Sequence, residues 1–283
     1  MIRRSHLALG ATVLISTLAF TACGGDDSSS SGSGGECATI TEGKLTIGTG
    51  SPAYSPWVEN DAPESGEGFE AAVALAVAKE LGYEGENVVW VRTTFDEAIQ
   101  PGEKSFDFNL QQFSITNERK ANISFSDPYY SSNQAIVALE GSAAEGAATV
   151  ADLKDVKFGA QAGTTSLDFI NEVIQPDAEA FVYDDNAGAK AALEAAQIDA
   201  IVIDLPTALY ISAVEIEGSK VIGQFPASAG GTTDDFGLVF SKDNPLVACV
   251  NTALAAVRES GALADAESKW LSDNAGVPVI SVG

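Results

Sequence analysis

The chain has 283 residues, 40 of them acidic and 15 basic, so its formal net charge at pH 7 is −25. Such a charge argues against binding to nucleic acid and against adsorption to anionic lipid, because both are negatively charged. The length exceeds what one hydrophobic core usually accommodates, so we expect two lobes.

The N-terminal segment has the features of an export signal. Arg3 and Arg4 precede an apolar run over residues 7–20, which is too short to span a membrane but typical of a signal peptide. The run closes on Phe-Thr-Ala-Cys, which resembles the lipobox of bacterial lipoproteins, although Phe20 stands where an aliphatic residue is usual. By that resemblance, residues 1–23 are a lipoprotein signal peptide and Cys23 carries the lipid; the alternative is an ordinary signal peptide cleaved nearby.

Residues 24–36 are small and polar and predict a flexible tether. A tether is most useful to a protein that is anchored upstream. We therefore expect an extracytoplasmic protein held at the cell membrane as a lipoprotein.

The only histidine is His6, inside the predicted leader. The mature chain therefore has no Ser-His-Asp or Cys-His nucleophilic site and no histidine metal site, and we expect neither a metal nor a cofactor. Cys37 and Cys249 remain after Cys23, and an exported pair predicts a disulfide. The alternative is that the two cysteines are unrelated thiols. Cys249 would then only fill an apolar helix face, since it lies on the same helical face as Leu246 and Val250.

The folded part begins with a predicted strand over residues 44–47. Residues 48–53 match G-x-G-x-x-A, the dinucleotide-binding fingerprint, but that fingerprint needs a helix to open at its last glycines and here Pro52 and Pro56 follow. We interpret the segment as a loop that holds Tyr54 and Trp57 at a strand end. Aromatic residues in that position either pack the lobe or contact a ligand.

The next residues alternate between helical and strand patterns. Phe69, Val73 and Val77 follow helical spacing up to Gly82. Residues 87–92 predict a strand, and Asp96 opens a short helix. The order β-α-β-α-β indicates a parallel sheet with helices on its faces.

Residues 107–130 form the central stretch of the chain. A buried strand over residues 108–113 is followed by a polar corner at Ser114 and Thr116 and by a helical turn that carries Arg119. Hydroxyls, free backbone N–H groups and a guanidinium at a strand end suit a small carboxylate. The alternative is that Thr116 only caps the helix and Arg119 makes a surface ion pair.

A second α/β unit follows, with predicted strands over residues 134–139 and 157–161. The turn Gly163-Thr164-Thr165 precedes a helix over residues 167–174. The N-terminus of a helix attracts anions, so this turn predicts an anion site, or else a plain N-cap.

Further predicted elements are a strand over residues 181–183, a helix over 187–197 and a strand over 198–203. Asp204 follows this apolar strand, where a carboxylate is costly unless it is paired. It could cap the helix that begins at Pro206, or it could meet a ligand cation.

The chain then returns to its first unit through a strand over residues 236–240, a helix from Asn244 to Val257 and a final helix around Trp270. We expect residues 37–134 and 241–283 to form lobe 1 and residues 135–240 to form lobe 2. The second unit is thus inserted into the first, and the two make a hinged pair.

Several ordered motifs resemble one family, the extracellular solute-binding proteins of ABC importers in the polar amino acid class (family 3). They are GFEAAVALAVAKELG, FSITNER, FSDPYY, GAQAGTTS and IDAIVIDLPTA, and the match covers Lys44 to Leu271. The resemblance implies an α/β, two-lobed, periplasmic-binding-protein-like (type II) fold with a hinge of two crossing strands.

The resemblance also implies roles for particular residues. Arg119 would clamp the α-carboxylate of an amino acid, with help from Ser114 and from the N–H groups near the second-lobe turn. Asp204 would pair with the α-ammonium, together with the carbonyl of Gln112, and aromatic rings would stack on the ligand side chain. The residues that we expect at the ligand site are Tyr54, Trp57, Phe95, Gln111, Gln112, Ser114, Arg119, Thr164, Thr165 and Asp204.

Two departures from the family pattern concern the first loop. The loop is one residue longer than usual, which affects the placement of Tyr54. Members that bind lysine or arginine often carry an acid there, where this chain has Gly50 and Ser51. Together with Gln111, which should face the cleft, this favours a neutral polar amino acid.

We expect a monomer that binds a free amino acid between closing lobes and presents it to an ABC transporter permease in the membrane. The same fold also serves as enzymes such as dehydratases and as ligand sensors without transport, so fold alone does not settle function. An enzyme would need an acid or base beyond Asp204, and no such pair stands out in the sequence.

Overall fold

The computed structural model describes residues 37–271 and 276–283. The predicted signal peptide, the lipidation site Cys23 and the tether lie outside the described residues. Within those residues no single helix is long and apolar enough to cross a membrane. Two consecutive helices, Leu246–Glu259 and Ala262–Trp270, have the length and composition of a membrane span only when they are taken together, and they are bent by 73° relative to each other.

Strands and helices alternate along most of the described chain. The strands are β1 (Leu45–Gly50), β2 (Val88–Thr93), β3 (Phe108–Asn109), β4 (Ile123–Phe125), β5 (Tyr130–Leu139), β6 (Phe158–Gln161), β7 (Phe181–Tyr183), β8 (Ala200–Asp204), β9 (Ser219–Phe225), β10 (Thr233–Phe236) and β11 (Val239–Ser241). The α-helices are α1 (Phe69–Glu80), α2 (Phe95–Ile99), α3 (Asn117–Lys120), α4 (Thr165–Phe169), α5 (Asn186–Glu194), α6 (Leu205–Tyr210), α7 (Leu246–Glu259) and α8 (Ala262–Trp270). One π-helical turn extends α4 over Ile170–Ile174 and another extends α6 over Ile211–Glu215.

The first sheet has the strand order β2-β1-β3-β11-β4. β1 runs parallel to β2 and β3, as the alternating pattern predicts, whereas β11 is antiparallel to β3 and β4. The sheet is therefore mixed, because the strand that returns from the second unit enters it in the opposite direction. The face of α1 that carries Phe69, Val73 and Val77 is buried and packs with α7 and α8. We call this sheet with α1–α3, α7 and α8 lobe 1.

The second sheet has the strand order β10-β5-β8-β6-β7, and β9 pairs with β5 off this path. β6 is parallel to β7 and β8, and β5 is antiparallel to β8 and β9. Two apolar clusters on its faces include residues of α4, α5 and α6. We call this sheet with α4–α6 lobe 2.

Two strands cross between the lobes. The first residues of β5 pair with β10, with Tyr130 opposite Phe236, and β10 is followed at once by β11 in the first sheet. The strand expected over residues 236–240 is thus two strands that belong to different sheets. They separate at Gly237, where a Cβ atom would lie 2.9 Å from the side chain of Ile115.

The C-terminal segment differs from the expected boundary of lobe 1. Bridges join Thr149 to Ser281 and Gln224 to Val279, and Ile280 is fully buried in the core of lobe 2. Residues 276–283 therefore lie beside β9 of the second sheet, where Ile280 packs with the apolar core of lobe 2.

Cys37 and Cys249 are joined by a disulfide, with their Cα atoms 5.7 Å apart. The bond connects the segment before β1 to α7. Two distant parts of the chain are in this way fixed to the same lobe.

Candidate functional site

A cleft of about 230 Å³ lies between the two lobes. Lobe 1 lines it with the loop after β1, the start of α2 and the corner after β3, and lobe 2 lines it with the starts of α4 and α6. All ten residues that the sequence places at a ligand site line this cleft: Tyr54, Trp57, Phe95, Gln111, Gln112, Ser114, Arg119, Thr164, Thr165 and Asp204.

Arg119 is the cation of the cleft. Its guanidinium donates to the carbonyl of Ser114 over 2.8 Å and, across the cleft, to the carbonyl of Gly163 over 2.9 Å. The ring of Phe95 lies 5.2 Å from Cζ, at cation–π distance. With 8% of its surface exposed, Arg119 does not make the surface ion pair of the alternative interpretation. Burial lowers its pKa, but a guanidinium stays charged at any ordinary pH and its remaining N–H groups can bind an anion.

The backbone before Arg119 explains its position. Thr116 accepts a hydrogen bond from the backbone N–H of Arg119 over 3.1 Å and so caps α3. The capping expected in the alternative interpretation is therefore present together with the inward guanidinium. Because α3 has only four residues, its cap fixes where the arginine side chain begins.

Two hydroxyls meet across the cleft beside this arginine. The Oγ atom of Ser114 lies 3.1 Å from the Oγ1 atom of Thr165, and Nε2 of Gln134 lies 3.4 Å from the same Thr165 atom. Gln134 Nε2 also donates to Asp234, whose pKa is raised by burial. Sequence reasoning missed Gln134 and Asp234, which lie on the two crossing strands.

The turn before α4 has the geometry of a helix cap. The hydroxyl of Thr164 accepts from the N–H of Leu167 over 3.2 Å and donates to the carbonyl of Gln161 over 2.8 Å. Its side chain is thus occupied by capping. The first backbone N–H groups of a helix have no partner within the helix, so the anion-binding capacity of this turn lies in its backbone and in Thr165.

Asp204 both caps a helix and lines the cleft. Its Oδ1 atom accepts from the backbone N–H of Thr207 over 3.0 Å, and the Thr207 hydroxyl lies 2.8 Å from each carboxylate oxygen. Burial raises the pKa of Asp204 to about 6, although the bonds from Thr207 act in the opposite direction. A cation in the cleft would offset the cost of this buried charge.

A second buried carboxylate, Glu70, lies behind Gln112 at the start of α1. Glu70 accepts from the backbone N–H of Gln112 over 2.8 Å, from its side-chain amide over 2.5 Å and from the hydroxyl of Tyr129. Burial raises the pKa of Glu70 to about 7. Gln112 has a φ of 51°, a left-handed conformation that is uncommon for residues other than glycine, so Glu70 stabilises a strained corner at the cleft. Sequence reasoning missed Glu70.

The three aromatic residues occupy different positions. The ring of Phe95 packs against Phe113, with centroids 4.7 Å apart. Tyr54 lies under the Lys190 ammonium of lobe 2, 4.9 Å from its ring centre, and its buried hydroxyl has no hydrogen-bond partner within the described chain. Trp57 is packed into the core of lobe 1, so it contributes an edge of the cleft and not an open stacking surface.

Uncharged polar groups line the lobe 1 wall. Nε2 of Gln111 donates to Thr93 Oγ1 over 2.8 Å and to Asn109 Oδ1 over 3.0 Å, which leaves the amide oxygen to accept from a ligand. Asp184 and Asp185 are exposed residues that line the cleft from lobe 2, and Asp185 caps α5 through the N–H of Gly188. Within residues 37–271 and 276–283, no group of three histidines, cysteines or acids could hold a metal ion.

Known proteins of one family are similar to this chain. The family model for bacterial extracellular solute-binding proteins, family 3, matches residues 45–273. The arginine-binding extracellular protein ArtP of Bacillus subtilis (strain 168) is 30% identical over 259 residues, which cover 90% of this chain and 94% of ArtP. The ABC transporter arginine-binding protein 1 of Escherichia coli (strain K12) is 26% identical over 235 residues, 80% of this chain and 90% of that protein.

A solved structure, an ancestral arginine-binding protein bound to glutamine, is also similar. It has a TM-score of 0.67 at 29% identity, and the match covers 82% of this chain and 100% of that one. The expected fold class, two α/β lobes joined by two crossing strands, is confirmed.

Proposed function

The chain belongs to the bacterial extracellular solute-binding proteins of family 3, and we propose that it is the substrate-binding component of an ABC importer for a free amino acid. The observation that carries this proposal is the placement of Arg119 and Asp204 in one cleft. A zwitterionic ligand presents one carboxylate and one ammonium, and Arg119 and Asp204 carry the charges opposite to these two groups.

In the proposed complex, Arg119 binds the ligand carboxylate with the hydroxyls of Ser114 and Thr165 and the N–H groups at the start of α4. Asp204 and the carbonyl of Gln112 accept from the ammonium. The groups come from both lobes, so a ligand gains all of these contacts only when the lobes are closed. It therefore shifts an open–closed equilibrium through its greater affinity for the closed form.

For the ligand side chain we propose a neutral polar group such as a carboxamide. The wall formed by Thr93, Asn109 and Gln111 is uncharged and hydrogen-bonded, and Gly50 and Ser51 line the cleft in the first loop. The similar ancestral protein that was solved with glutamine supports a ligand of this kind.

A cationic amino acid is the second candidate. Asp184 and Asp185 lie at the lobe 2 side of the cleft, and the two similar transport proteins named above bind arginine. A long cationic side chain that reached this pair would gain two carboxylate partners at the cleft edge.

We propose binding without catalysis. Glu70 has a pKa near that of a general acid or base, but its oxygens already accept three hydrogen bonds from Gln112 and Tyr129, so it serves mainly to hold the backbone corner and not to exchange a proton with a ligand. The relatives described above are binding proteins and carry no enzyme name. Recovery of chemically unchanged ligand from the protein after long incubation tests this point.

We further propose a monomer that is tethered to the cell membrane through a lipid on Cys23 and delivers its ligand to a membrane permease. The lipobox-like sequence and the polar residues 24–36 support the tether. A Cys23→Ser protein should leave the membrane fraction, whereas the unaltered protein should remain there until it is extracted with detergent.

The function is tested by calorimetry of the purified protein with the twenty amino acids, each at the same concentration. We expect saturable binding of one ligand class and preference for L-glutamine over L-arginine. Preference for L-arginine would support the second candidate and overturn the neutral side chain. Absence of binding by every amino acid would overturn the proposed function.

A further inference from the structure

One hydrogen bond joins a buried tryptophan of lobe 1 to a buried threonine of lobe 2. Nε1 of Trp57 donates to Oγ1 of Thr207 over 2.7 Å. The two residues are 150 positions apart in the sequence, and 1% and 8% of their surfaces are exposed. The bond is therefore a contact between the lobes that water does not reach.

The chemistry of the two groups fixes the direction of this bond. An indole N–H can only donate, and a threonine hydroxyl has a single hydrogen. Since Thr207 accepts from Trp57, its own hydrogen is directed at Asp204, whose two oxygens lie 2.8 Å away. The indole N–H, the hydroxyl and the carboxylate thus form one chain of hydrogen bonds, in which Trp57 donates to Thr207 and Thr207 donates to Asp204 at the cleft.

The indole is held by Phe69 of lobe 1 and by the ends of the two crossing strands, β5 and β10, that lie next to lobe 1. Its ring makes edge contacts with the rings of Phe69, Tyr130 and Phe236, with centroid distances of 5.8, 5.9 and 5.8 Å. The backbone carbonyl of Trp57 accepts from the N–H of Glu70 over 2.9 Å. Packing therefore fixes the direction of the indole N–H group, and the Thr207 hydroxyl can accept from it only in one position of lobe 2.

We propose that Trp57 and Thr207 form a latch that holds the lobes closed on a ligand and orients Asp204 toward the ligand ammonium. This Trp57–Thr207 latch rests on the proposed function, because it needs a ligand that closes the lobes. Trp57 is a positioning residue here, since it acts on Asp204 through Thr207. When the lobes open, its N–H and the threonine hydroxyl separate.

The substitution Trp57→Phe removes the donor and keeps an aromatic ring in the lobe 1 core, although it also removes part of the buried ring volume, which the Thr207 variants below leave in place. Loss of one buried hydrogen bond should accelerate ligand dissociation by about three- to tenfold, with little change in the association rate. The acceleration should be larger for an amino acid than for its deaminated analogue, because the bond joins the lobes and also orients Asp204, which pairs only with the ammonium.

The test uses labelled L-glutamine, labelled L-arginine and their labelled deaminated analogues, glutaramic acid and 5-guanidinopentanoic acid, each chased with an excess of the same unlabelled ligand. Trp270→Phe is the matched control, since Trp270 lies in α8 and does not line the cleft. Thr207→Ser keeps both hydrogen bonds and should bind as the unaltered protein does. Thr207→Val removes both and should accelerate dissociation while weakening the amino acid more than its analogue.

The outcomes separate the latch from the function. Faster dissociation from Trp57→Phe and Thr207→Val, with Trp270→Phe and Thr207→Ser unchanged, supports the latch. If the unaltered protein binds a ligand and Trp57→Phe releases it at the same rate, the latch is overturned and the function stands. If Trp57→Phe does not fold, equal rates for Thr207→Val and Thr207→Ser overturn the latch. If the unaltered protein binds no amino acid, both the proposed amino acid binding and the latch are overturned.

Discussion

At the scale of single residues, the cleft depends most on Arg119, whose buried charge faces the proposed carboxylate. We expect Arg119→Ala to abolish amino acid binding and to leave the fold intact, because a desolvated charge left without its partner costs about 2–5 kcal/mol. Calorimetry and thermal unfolding measure the two effects separately. Arg258→Ala is the control, since Arg258 is exposed at the end of α7, donates to the carbonyl of Pro128 and does not line the cleft; unchanged affinity in Arg119→Ala would contradict the assignment.

Asp204 is expected to recognise the amine and not the acid of the ligand. Asp204→Asn should weaken binding of an amino acid far more than binding of its deaminated analogue, because asparagine keeps the shape and the cap but loses the charge that pairs with an ammonium. Competition binding with both ligands measures the ratio. Equal losses for the two ligands would mean that Asp204 only caps α6.

Glu70 should make the stability of the protein depend on pH. Its pKa rises from 4.5 to about 7 on folding, so the folded state binds the proton more tightly than the unfolded chain. The stabilisation is therefore complete below pH 4.5 and is lost as the pH rises through about 7. This loss is on the order of 3 kcal/mol for a shift of that size.

Urea unfolding from pH 4.5 to 8 tests this dependence in the unaltered protein and in Glu70→Gln. The glutamine remains uncharged, so the loss of stability with rising pH should be smaller in the variant. Glu80→Gln, at the exposed end of the same helix, controls for the removal of one negative charge. Parallel pH profiles for Glu70→Gln and the unaltered protein would rule out a titrating Glu70.

The sequence predicted the residues that we propose to contact the ligand better than those that support them. Asp204 was recognisable because a carboxylate follows an apolar strand. Glu70 carries the same signal, since it precedes Val73 and Val77 by helical spacing and so lies on the buried face of α1. Gln134 and Thr207 carry no local signal, because their partners are 100 and 150 residues away in the sequence.

At the scale of elements, segments with an uninterrupted apolar pattern were predictable and interrupted ones were not. α1 and β7 have nearly the predicted bounds. β4 and β9 were missed, since Ser124 interrupts the apolar pattern of β4 and Gly223 interrupts that of β9. β5 begins four residues before its predicted start at Gln134, because its polar first residues pair with β10 where the chain crosses between the lobes.

The disulfide is the element-scale feature with the largest expected effect on stability. Removal of the bond by the double substitution Cys37→Ser and Cys249→Ser should lower the free energy of unfolding, by up to about 5 kcal/mol in the chain-entropy description of a long loop. The two cysteines are 212 residues apart. Urea unfolding without reductant measures the difference.

A thiol titration provides the control for this prediction. In Cys23→Ser protein, unfolded without reductant, maleimide should label no cysteine, and after reduction it should label two. Two labelled thiols before reduction would mean that the bridge does not form in the purified protein.

At the scale of the whole molecule, the two-lobe division followed from length and element order, but its C-terminal boundary did not. Residues 276–283 return to lobe 2 through β-bridges and the burial of Ile280. The return of the chain to lobe 2 depends on contacts with elements that are distant in the sequence, so no local sequence pattern predicts it. The segment connects the end of lobe 1 back to lobe 2, so the lobes are joined by a third passage besides the two crossing strands.

Closure of the two lobes should depend on a bound ligand. Among the described residues, the hydrogen-bonded pairs that join the lobes across the cleft include Trp57 with Thr207, Arg119 with Gly163, and Ser114 with Thr165. A ligand that adds contacts to both lobes should favour this arrangement, so small-angle scattering should show a smaller radius of gyration with ligand than without it.

The same ligand should raise the thermal midpoint, since a hundredfold excess over Kd contributes about 2.7 kcal/mol to the free energy of unfolding. Arg119→Ala at the same ligand concentration should show neither change, because it removes the charge that draws the carboxylate toward both lobes. If calorimetry shows binding while the radius of gyration of the unaltered protein stays constant, the ligand enters a cleft that is already closed, and the contacts between the lobes are permanent structure and not a response to the ligand.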